Sequence, residues 1–128
     1  MTKLSKYPSE FEIQSELYWA LKESGYDVRA EVKTFVIFNG QARGIRLDLA
    51  IFRDRDLWLL IECKNKQKLL NKDSIFFDNN TLQCKKYKCL GVPMFQCLNE
   101  DQVKIVFEAI EEMRMILDDE YINLDAKM

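Results

Sequence analysis

Three side chains suited to acid–base and metal chemistry lie close together near the middle of the sequence. Asp48 lies within an apolar segment, and Glu62 and Lys64 end a second apolar segment that begins at Leu57. A charge inside an apolar strand costs free energy unless it is paired or binds a metal. Two carboxylates bind a hard cation such as Mg²⁺, and a neighbouring ammonium orients an attacking water and offsets charge on phosphorus. The pattern therefore indicates metal-assisted hydrolysis of a phosphodiester bond.

Two strands are needed to bring these side chains together. Segments 44–52 and 57–64 are rich in β-forming residues and are separated by a short charged connector. Side chains alternate with period two along a strand, so Glu62 and Lys64 project from the same face. If the two strands pair as a hairpin about the connector, we expect Asp48 to lie near that face as well.

The segment before these strands predicts a helix and then a further strand. Ser9 is expected to cap a helix that runs to about Ser24, because apolar residues follow at helical spacing. At about 100° per residue, Glu10 lies on one edge of the inward face and Glu16 on the other. Residues 26–38 then alternate between apolar and polar types and end at an Asn-Gly turn, which predicts the first strand.

A second helix, predicted over 81–90 with Asn79 or Asn80 as its cap, carries two polar residues on one face. Gln83 and Tyr87 are four residues apart and are therefore neighbours on the helix surface. This spacing lets the Gln reach a carboxylate, a metal-bound water or a nucleic-acid backbone while the Tyr packs beside it. The alternative is an ordinary amphipathic helix whose Tyr belongs to the core.

The remaining segments complete an α/β pattern in one domain over 1–128. Residues 64–80 are polar and basic and predict a loop, which either closes over a substrate or is simply solvated. Residues 92–98 predict a strand, and a helix is predicted from about 99 to 119. The acidic segment 118–128 is expected to fray. The predicted order is thus helix, three strands, helix, strand and helix.

Two motifs resemble those of a known nuclease superfamily. Asp48 followed by the tripeptide at 62–64 resembles the D…(D/E)-x-K signature of the PD-(D/E)XK nucleases. Segment 83–87 resembles the Q-x-x-x-Y motif of their RecB-type branch and of the N-terminal nuclease domain of type I restriction R subunits. Leu47 departs from the pattern, since many members have Pro before the Asp. The resemblance covers nearly the whole chain and implies the restriction-endonuclease-like fold, an αβββαβ core with a mixed central sheet flanked by helices.

The resemblance also implies roles for the residues of the site. Mg²⁺ or Mn²⁺ would be held by Asp48, by Glu62, by the backbone carbonyl of Cys63 and by an acid of the first helix. Lys64 would position the attacking water. The product would be DNA cut at a phosphodiester bond.

The same resemblance also implies roles for an acid of the first helix and for two residues of the second helix. An acid on the first helix often completes the metal site in this superfamily, and Glu10 is the best placed, with Glu16 second. The alternative for Glu10 is that its charge merely favours the positive N-terminus of the helix. Gln83 and Tyr87 would order the site.

Histidine is absent from the chain, which excludes several kinds of site. There is no Ser-His-Asp triad, no Cys-His pair, no HNH-type nuclease and no His-containing zinc site. The four cysteines form no C-x-x-C pair, and their spacing does not fit an iron–sulfur cluster. We expect reduced thiols, most of them buried. The cysteines are Cys63, Cys84, Cys89 and Cys97.

The charge is distributed unevenly along the chain. Residues 1–99 carry 16 Lys and Arg against 12 Asp and Glu, whereas residues 100–128 carry 3 against 9. Arg43 and Arg46 lie shortly before Asp48 in the sequence. They either contact phosphate or are ordinary surface arginines. A basic cluster near the site suits DNA as a partner even though the net charge is −2. Its lysines are Lys64, Lys66, Lys68, Lys72, Lys85, Lys86 and Lys88.

The sequence has no membrane-length apolar run and no signal peptide, so we expect a cytoplasmic protein without membrane contact. A chain of 128 residues has no room for a helicase or a separate DNA-reading domain. Sequence-specific cleavage would therefore need a homo-oligomer or a partner restriction or repair subunit.

Three hypotheses follow from these patterns. The first is a metal-dependent deoxyribonuclease that uses the residues described above. The second is a nuclease-fold module that binds nucleic acid or a protein partner without cutting, for which a lost catalytic residue would be the mark. The third is an α/β domain in which Glu62 and Lys64 form a surface ion pair, which requires Asp48 to be exposed as well.

Overall fold

A four-stranded mixed sheet with helices on both sides forms the centre of the molecule. The computed structural model describes residues 9–64 and 74–127, and side chains as far as residue 120. Its elements follow the predicted order, so the predicted α/β class is confirmed. They are α1 (Glu10–Glu23), β1 (Asp27–Phe38), β2 (Gln41–Arg53), β3 (Asp56–Cys63), α2 (Leu82–Lys88), β4 (Met94–Cys97) and α3 (Glu100–Lys127).

The strands lie in the sheet in their chain order. β1, β2 and β3 form an antiparallel meander, and β4 pairs parallel with β3. A parallel neighbour needs a crossover connection, and the segment that contains α2 provides it. The sheet is therefore mixed, as the sequence pattern predicts.

Each face of the sheet buries its own core. The α1–α3 core joins one face to both long helices through residues such as Leu17, Ile61 and Ile110. The α2 core joins the other face to the short helix through residues such as Leu60 and Tyr87. The apolar run of β3 is thus buried on both faces, which explains why its sequence does not alternate.

Two tight turns join the strands of the meander, and the β2–β3 register shifts by one residue between Ile51 and Phe52. Asn39 and Gly40 both have positive φ between β1 and β2, and so do Asp54 and Arg55 between β2 and β3. Turns with two left-handed residues match the twist of paired strands and favour two-residue hairpins. The hairpin predicted about the charged connector is therefore confirmed.

Near the middle of β1 and of β2, the regular alternation of side chains between the two faces of the sheet is interrupted. Val28 packs in the α1–α3 core and Val32 against the α2 core, although residues four apart on a regular strand face the same side. Leu47 and Leu49 of β2 divide between the two cores in the same way. The change occurs at Glu31, whose φ is +56°. This irregularity gives Asp48, the residue between the two leucines, its own orientation at the boundary of the cores.

The predicted boundaries of two helices are wrong in detail. Thr81 caps α2 by accepting a hydrogen bond from the Cys84 N–H, whereas Asn79 accepts hydrogen bonds from Thr81. The last helix continues to Lys127 instead of ending near residue 119. Acidic residues do not break a helix, and Asp118 forms an ion pair with Arg53 that ties this part of α3 to the sheet.

No helix within the described residues is both long enough and apolar enough to cross a membrane.

The segment predicted as a loop over 64–80 contributes to the sheet edge. Residues 65–73, where a substrate-covering loop was expected, lie outside the described residues. Phe76 forms an antiparallel bridge with Phe95 of β4. The Gln96 N–H donates to the carbonyl of Ile75, and the Phe77 N–H donates to the carbonyl of Met94. These bonds cover the edge of β4, which periodicity alone did not reveal because only three residues take part.

Packing of α1 on the sheet gives a stability prediction. Leu17 is fully buried in the α1–α3 core, whereas Ile116 of α3 is 59% exposed. We expect Leu17→Ala to lower the free energy of unfolding by about 3 kcal/mol, because it leaves a cavity. Ile116→Ala should change it by less than about 0.5 kcal/mol. Urea denaturation measures both, and equal effects would contradict this assignment of the core.

Candidate active site

Two buried carboxylates lie side by side at the centre of the site. The register that sets Leu49 opposite Ile61 brings Asp48 opposite Glu62. Asp48 is 8% exposed and Glu62 is 4% exposed. The interpretation that Glu62 and Lys64 form only a surface ion pair required an exposed Asp48, and the burial of Asp48 contradicts it.

Burial and mutual repulsion shift the proton affinity of both acids. Burial raises the pKa of Glu62 from 4.5 to about 8, and the nearby charge of Asp48 adds to the shift while Lys64 opposes it. The pKa of Asp48 is also raised, first by burial. Glu62 Oε2 is buried without a hydrogen-bond donor, although Asp48 is beside it. Two acceptors cannot satisfy each other, so this position requires a proton or a cation.

Backbone and side-chain donors hold the rest of the pair. The Cys63 N–H donates to Asp48 Oδ2 at 2.9 Å. Lys64 Nζ lies 3.4 Å from Glu62 Oε1, and its side chain is 22% exposed. The predicted meeting of two carboxylates and one ammonium is therefore found. The carbonyl of Cys63 stays a predicted metal ligand, since the described contact uses its N–H.

Helix α2 adds two side chains to the same cluster. Gln83 Nε2 donates to Glu62 Oε1 at 3.1 Å and also lies 3.2 Å from Tyr87 Oη. The Tyr87 hydroxyl donates to the backbone carbonyl of Arg46 on β2. Burial, followed by the charge of Glu62, raises the pKa of Tyr87 to about 12, so the phenol keeps its proton and remains a donor. The predicted pair thus reaches the site, and Tyr87 is at the same time part of the α2 core.

The acids predicted on the first helix do not join the pair. Among residues 9–64 and 74–120, no three Asp, Glu or Cys side chains come together as a metal-binding group. Glu10 is exposed in the first turn of α1, although its charge contributes to the raised pKa of Cys63, which is caused first by burial. Glu16 is half-buried, with Oε1 lacking a hydrogen-bond partner. A role for either acid stays a prediction.

The thiols agree with the expectation from the sequence. All four cysteines are free, with Cys89 exposed and the other three buried. Burial raises the pKa of Cys63 well above its usual range and that of Cys97 to about 12. These two thiols therefore keep their protons near neutral pH, which argues against a role as nucleophiles.

A cavity of about 440 Å³ opens beside the carboxylates. It lies between the β2 strand and α2, and its wall carries both acids of the pair together with two cationic side chains. A volume of this size admits a phosphate with its attached sugar. Its lining consists of Gly44, Ile45, Arg46, Asp48, Glu62, Leu82, Gln83, Lys86 and Tyr87.

Comparison with known proteins leaves the site to be interpreted from its own chemistry. No family model, no curated protein and no solved structure matches this chain.

One acidic residue near the site was missed at the level of sequence. Glu31 lies opposite Asp48, between the pairs that join Ala30 to Leu49 and Val32 to Leu47. Its carboxylate accepts a hydrogen bond from Gln14 Nε2 at 3.2 Å and contacts Arg46 Nε at 3.0 Å. The signal was available, because counting back from the predicted Asn-Gly turn pairs position 31 with position 48.

The raised pKa of Glu62 predicts how stability depends on pH. The folded state binds the proton more tightly than the unfolded state, so this contribution is complete below about pH 4.5 and is lost as pH rises through about 8. Without divalent cations, we expect the melting temperature to fall over this range. Thermal unfolding in EDTA measures it.

The matched variant for that experiment is Glu62→Gln, which keeps the shape of the side chain but cannot titrate. Its melting temperature should vary less over the same pH range. Parallel profiles for the two proteins would contradict the raised pKa.

The hydrogen bond of Tyr87 gives a second prediction for this site. Tyr87→Phe leaves the carbonyl of Arg46 without its donor in a partly buried setting, and we expect a loss of about 1 kcal/mol in the free energy of unfolding. The control is Tyr18→Phe, since the Tyr18 hydroxyl forms no hydrogen bond among the described residues. Urea denaturation compares the two, and equal losses would contradict the assigned bond.

Proposed function

We propose that this protein is a metal-dependent nuclease that hydrolyses phosphodiester bonds of DNA and has the restriction-endonuclease-like fold. The observation that carries the proposal is the donorless oxygen of Glu62, buried beside Asp48. An unsatisfied buried carboxylate is costly, and without a cation the raised pKa of Glu62 lets a proton shared with Asp48 satisfy this oxygen. In the active protein a divalent cation takes the place of that proton.

The residues present fit Mg²⁺ or Mn²⁺. Both cations prefer oxygen ligands, and Asp48 and Glu62 line a cavity that admits the waters such ions retain. The cation would be held by these two residues, with Glu10 and the Cys63 carbonyl as further candidates. When bound, it polarises a phosphoryl oxygen and lowers the pKa of a bound water.

The protein's own side chains then divide the remaining work. Lys64, whose ammonium lies beside Glu62, orients the attacking water and offsets negative charge that develops on phosphorus. The Gln83 amide donates to Oε1, the other carboxylate oxygen of Glu62, and so holds Glu62 in position. Tyr87 anchors Gln83 against β2. These contacts fix the acid before substrate arrives, which favours precise placement of the reacting groups.

Cleavage assays test the proposal directly. Supercoiled plasmid and linear single- and double-stranded DNA are incubated with the protein in Mg²⁺, in Mn²⁺ and in EDTA. We expect cutting that requires the cation and that Lys64→Ala slows by about a hundredfold or more, since the acid–base group is lost. Lys104→Ala is the matched control, because Lys104 is exposed on α3 and pairs with Glu108. It should leave the rate unchanged.

The opposite outcome would support the non-cleaving alternative. A folded protein that cuts no DNA and shows no Mg²⁺ or Mn²⁺ binding by calorimetry contradicts the nuclease. The same fold would then serve as a module that binds nucleic acid or a protein partner. Cutting that Asp48→Asn and Glu62→Gln leave unchanged would equally contradict the assigned site.

A further inference from the structure

Glu31 has an unfavourable backbone conformation in the middle of an otherwise regular strand. Its φ of +56° lies in the left-handed region, which side chains without special local hydrogen bonding rarely adopt. No turn requires this conformation, since β1 pairs with β2 on both sides of it. Strain of this kind persists only where surrounding structure enforces it, and it is concentrated at functional sites.

The conformation directs the Glu31 carboxylate toward an arginine. Oε2 pairs with Nε of Arg46 at 3.0 Å, and Oε1 accepts from Nε2 of Gln14 at 3.2 Å. Gln14 is itself buried on α1, so the carboxylate is held from behind by a helix that packs on the sheet. The side chains of Glu31 and Arg46 remain 47% and 61% exposed. An ion pair this exposed contributes little to stability, so the ion pair itself does not offset the strain.

The contact leaves the two terminal amino groups of the Arg46 guanidinium available. The ion pair is made at Nε, and no hydrogen bond within the described part of the chain engages the two terminal amino groups. A guanidinium held in this way presents a planar pair of donors that matches two phosphate oxygens. Arg46 lines the same cavity as Asp48 and Glu62, and Lys86 adds a second cation to its wall.

We infer that Arg46 binds a phosphate of the nucleic-acid strand in the cavity and that Glu31 is the positioning residue that aims it. The inference rests on the proposed function and adds a phosphate-binding subsite beside the carboxylate pair. Gln14 and the strained backbone of β1 set the direction of Glu31, and Glu31 sets the direction of the guanidinium. The backbone conformation that moves β1 from one core to the other thus also directs Glu31 toward Arg46, beside two acids that repel phosphate.

DNA binding without cleavage tests the inference. All variants carry Lys64→Ala, and binding of a short fluorescein-labelled duplex is measured by anisotropy in Mg²⁺ over a range of salt concentrations. Arg46→Gln should weaken binding about tenfold and reduce the salt slope by about one, as expected for a lost phosphate contact. Arg43→Gln is the matched control on the same strand, since Arg43 contacts Gln41 and is not part of the cavity wall. It should change binding less than about twofold.

Glu31→Gln gives the more discriminating result. Removing an acid near the site would tighten DNA binding if charge alone mattered. A positioning role predicts weaker binding, by about fivefold, and no further loss when Glu31→Gln is added to Arg46→Gln. With Lys64 intact, both substitutions should raise KM much more than they lower kcat.

The possible failures are distinguishable. If the parent Lys64→Ala protein binds no DNA and wild type cuts none, the proposed function and this inference both fall. If the parent binds DNA but Arg46→Gln binds it equally well, only the subsite is wrong. If Arg46→Gln weakens binding and Glu31→Gln tightens it, Glu31 does not position the arginine. Thermal melting of each variant verifies that it is folded.

Discussion

Two carboxylates buried next to each other form the constraint on which the rest of this structure depends. Asp48 and Glu62 repel each other in a setting where burial weakens screening by water, and burial raises the pKa of both. Such a pair is tolerated only when neighbouring groups supply donors and when the remaining negative charge has a proton or a cation to meet it. The surrounding elements are arranged to meet this requirement.

Neighbouring elements contribute three contacts to the pair. β3 gives the Cys63 N–H, Lys64 directly after it gives an ammonium, and α2 gives the amide of Gln83. The Tyr87 hydroxyl ties α2 back to β2 through the Arg46 carbonyl, so the polar cluster also connects two elements of the α2 core. Site and fold therefore share the same bonds, and a change that loosens α2 is expected to disturb both.

Much of the fold and the residue types at the centre of the site could be predicted, because both depend on patterns among residues that are near one another in the sequence. The alternation of β1, the apolar run of β3 and the two-residue turns predict which strands pair. The turn at Asp54 and Arg55 alone would set Asp48 opposite Ile61, and the register shift between Ile51 and Phe52 sets it opposite Glu62 instead. The role of the third acid stays a prediction, since helical periodicity places Glu10 near an inward edge but does not tell how the first turn of α1 meets the sheet.

The sequence by itself determined the order of elements, the hairpin that joins β2 to β3 and the residue types that meet in the site. Only the tertiary structure decided that the side-chain alternation of β1 is interrupted at Glu31 and that the carboxylate of Glu31 reaches Arg46. It also decided that one oxygen of Glu62 is left without a donor. The physical reason is the range of the interactions. Periodicity and turn chemistry act between residues near in sequence, whereas burial and the partners of a charged side chain depend on how separate elements pack together.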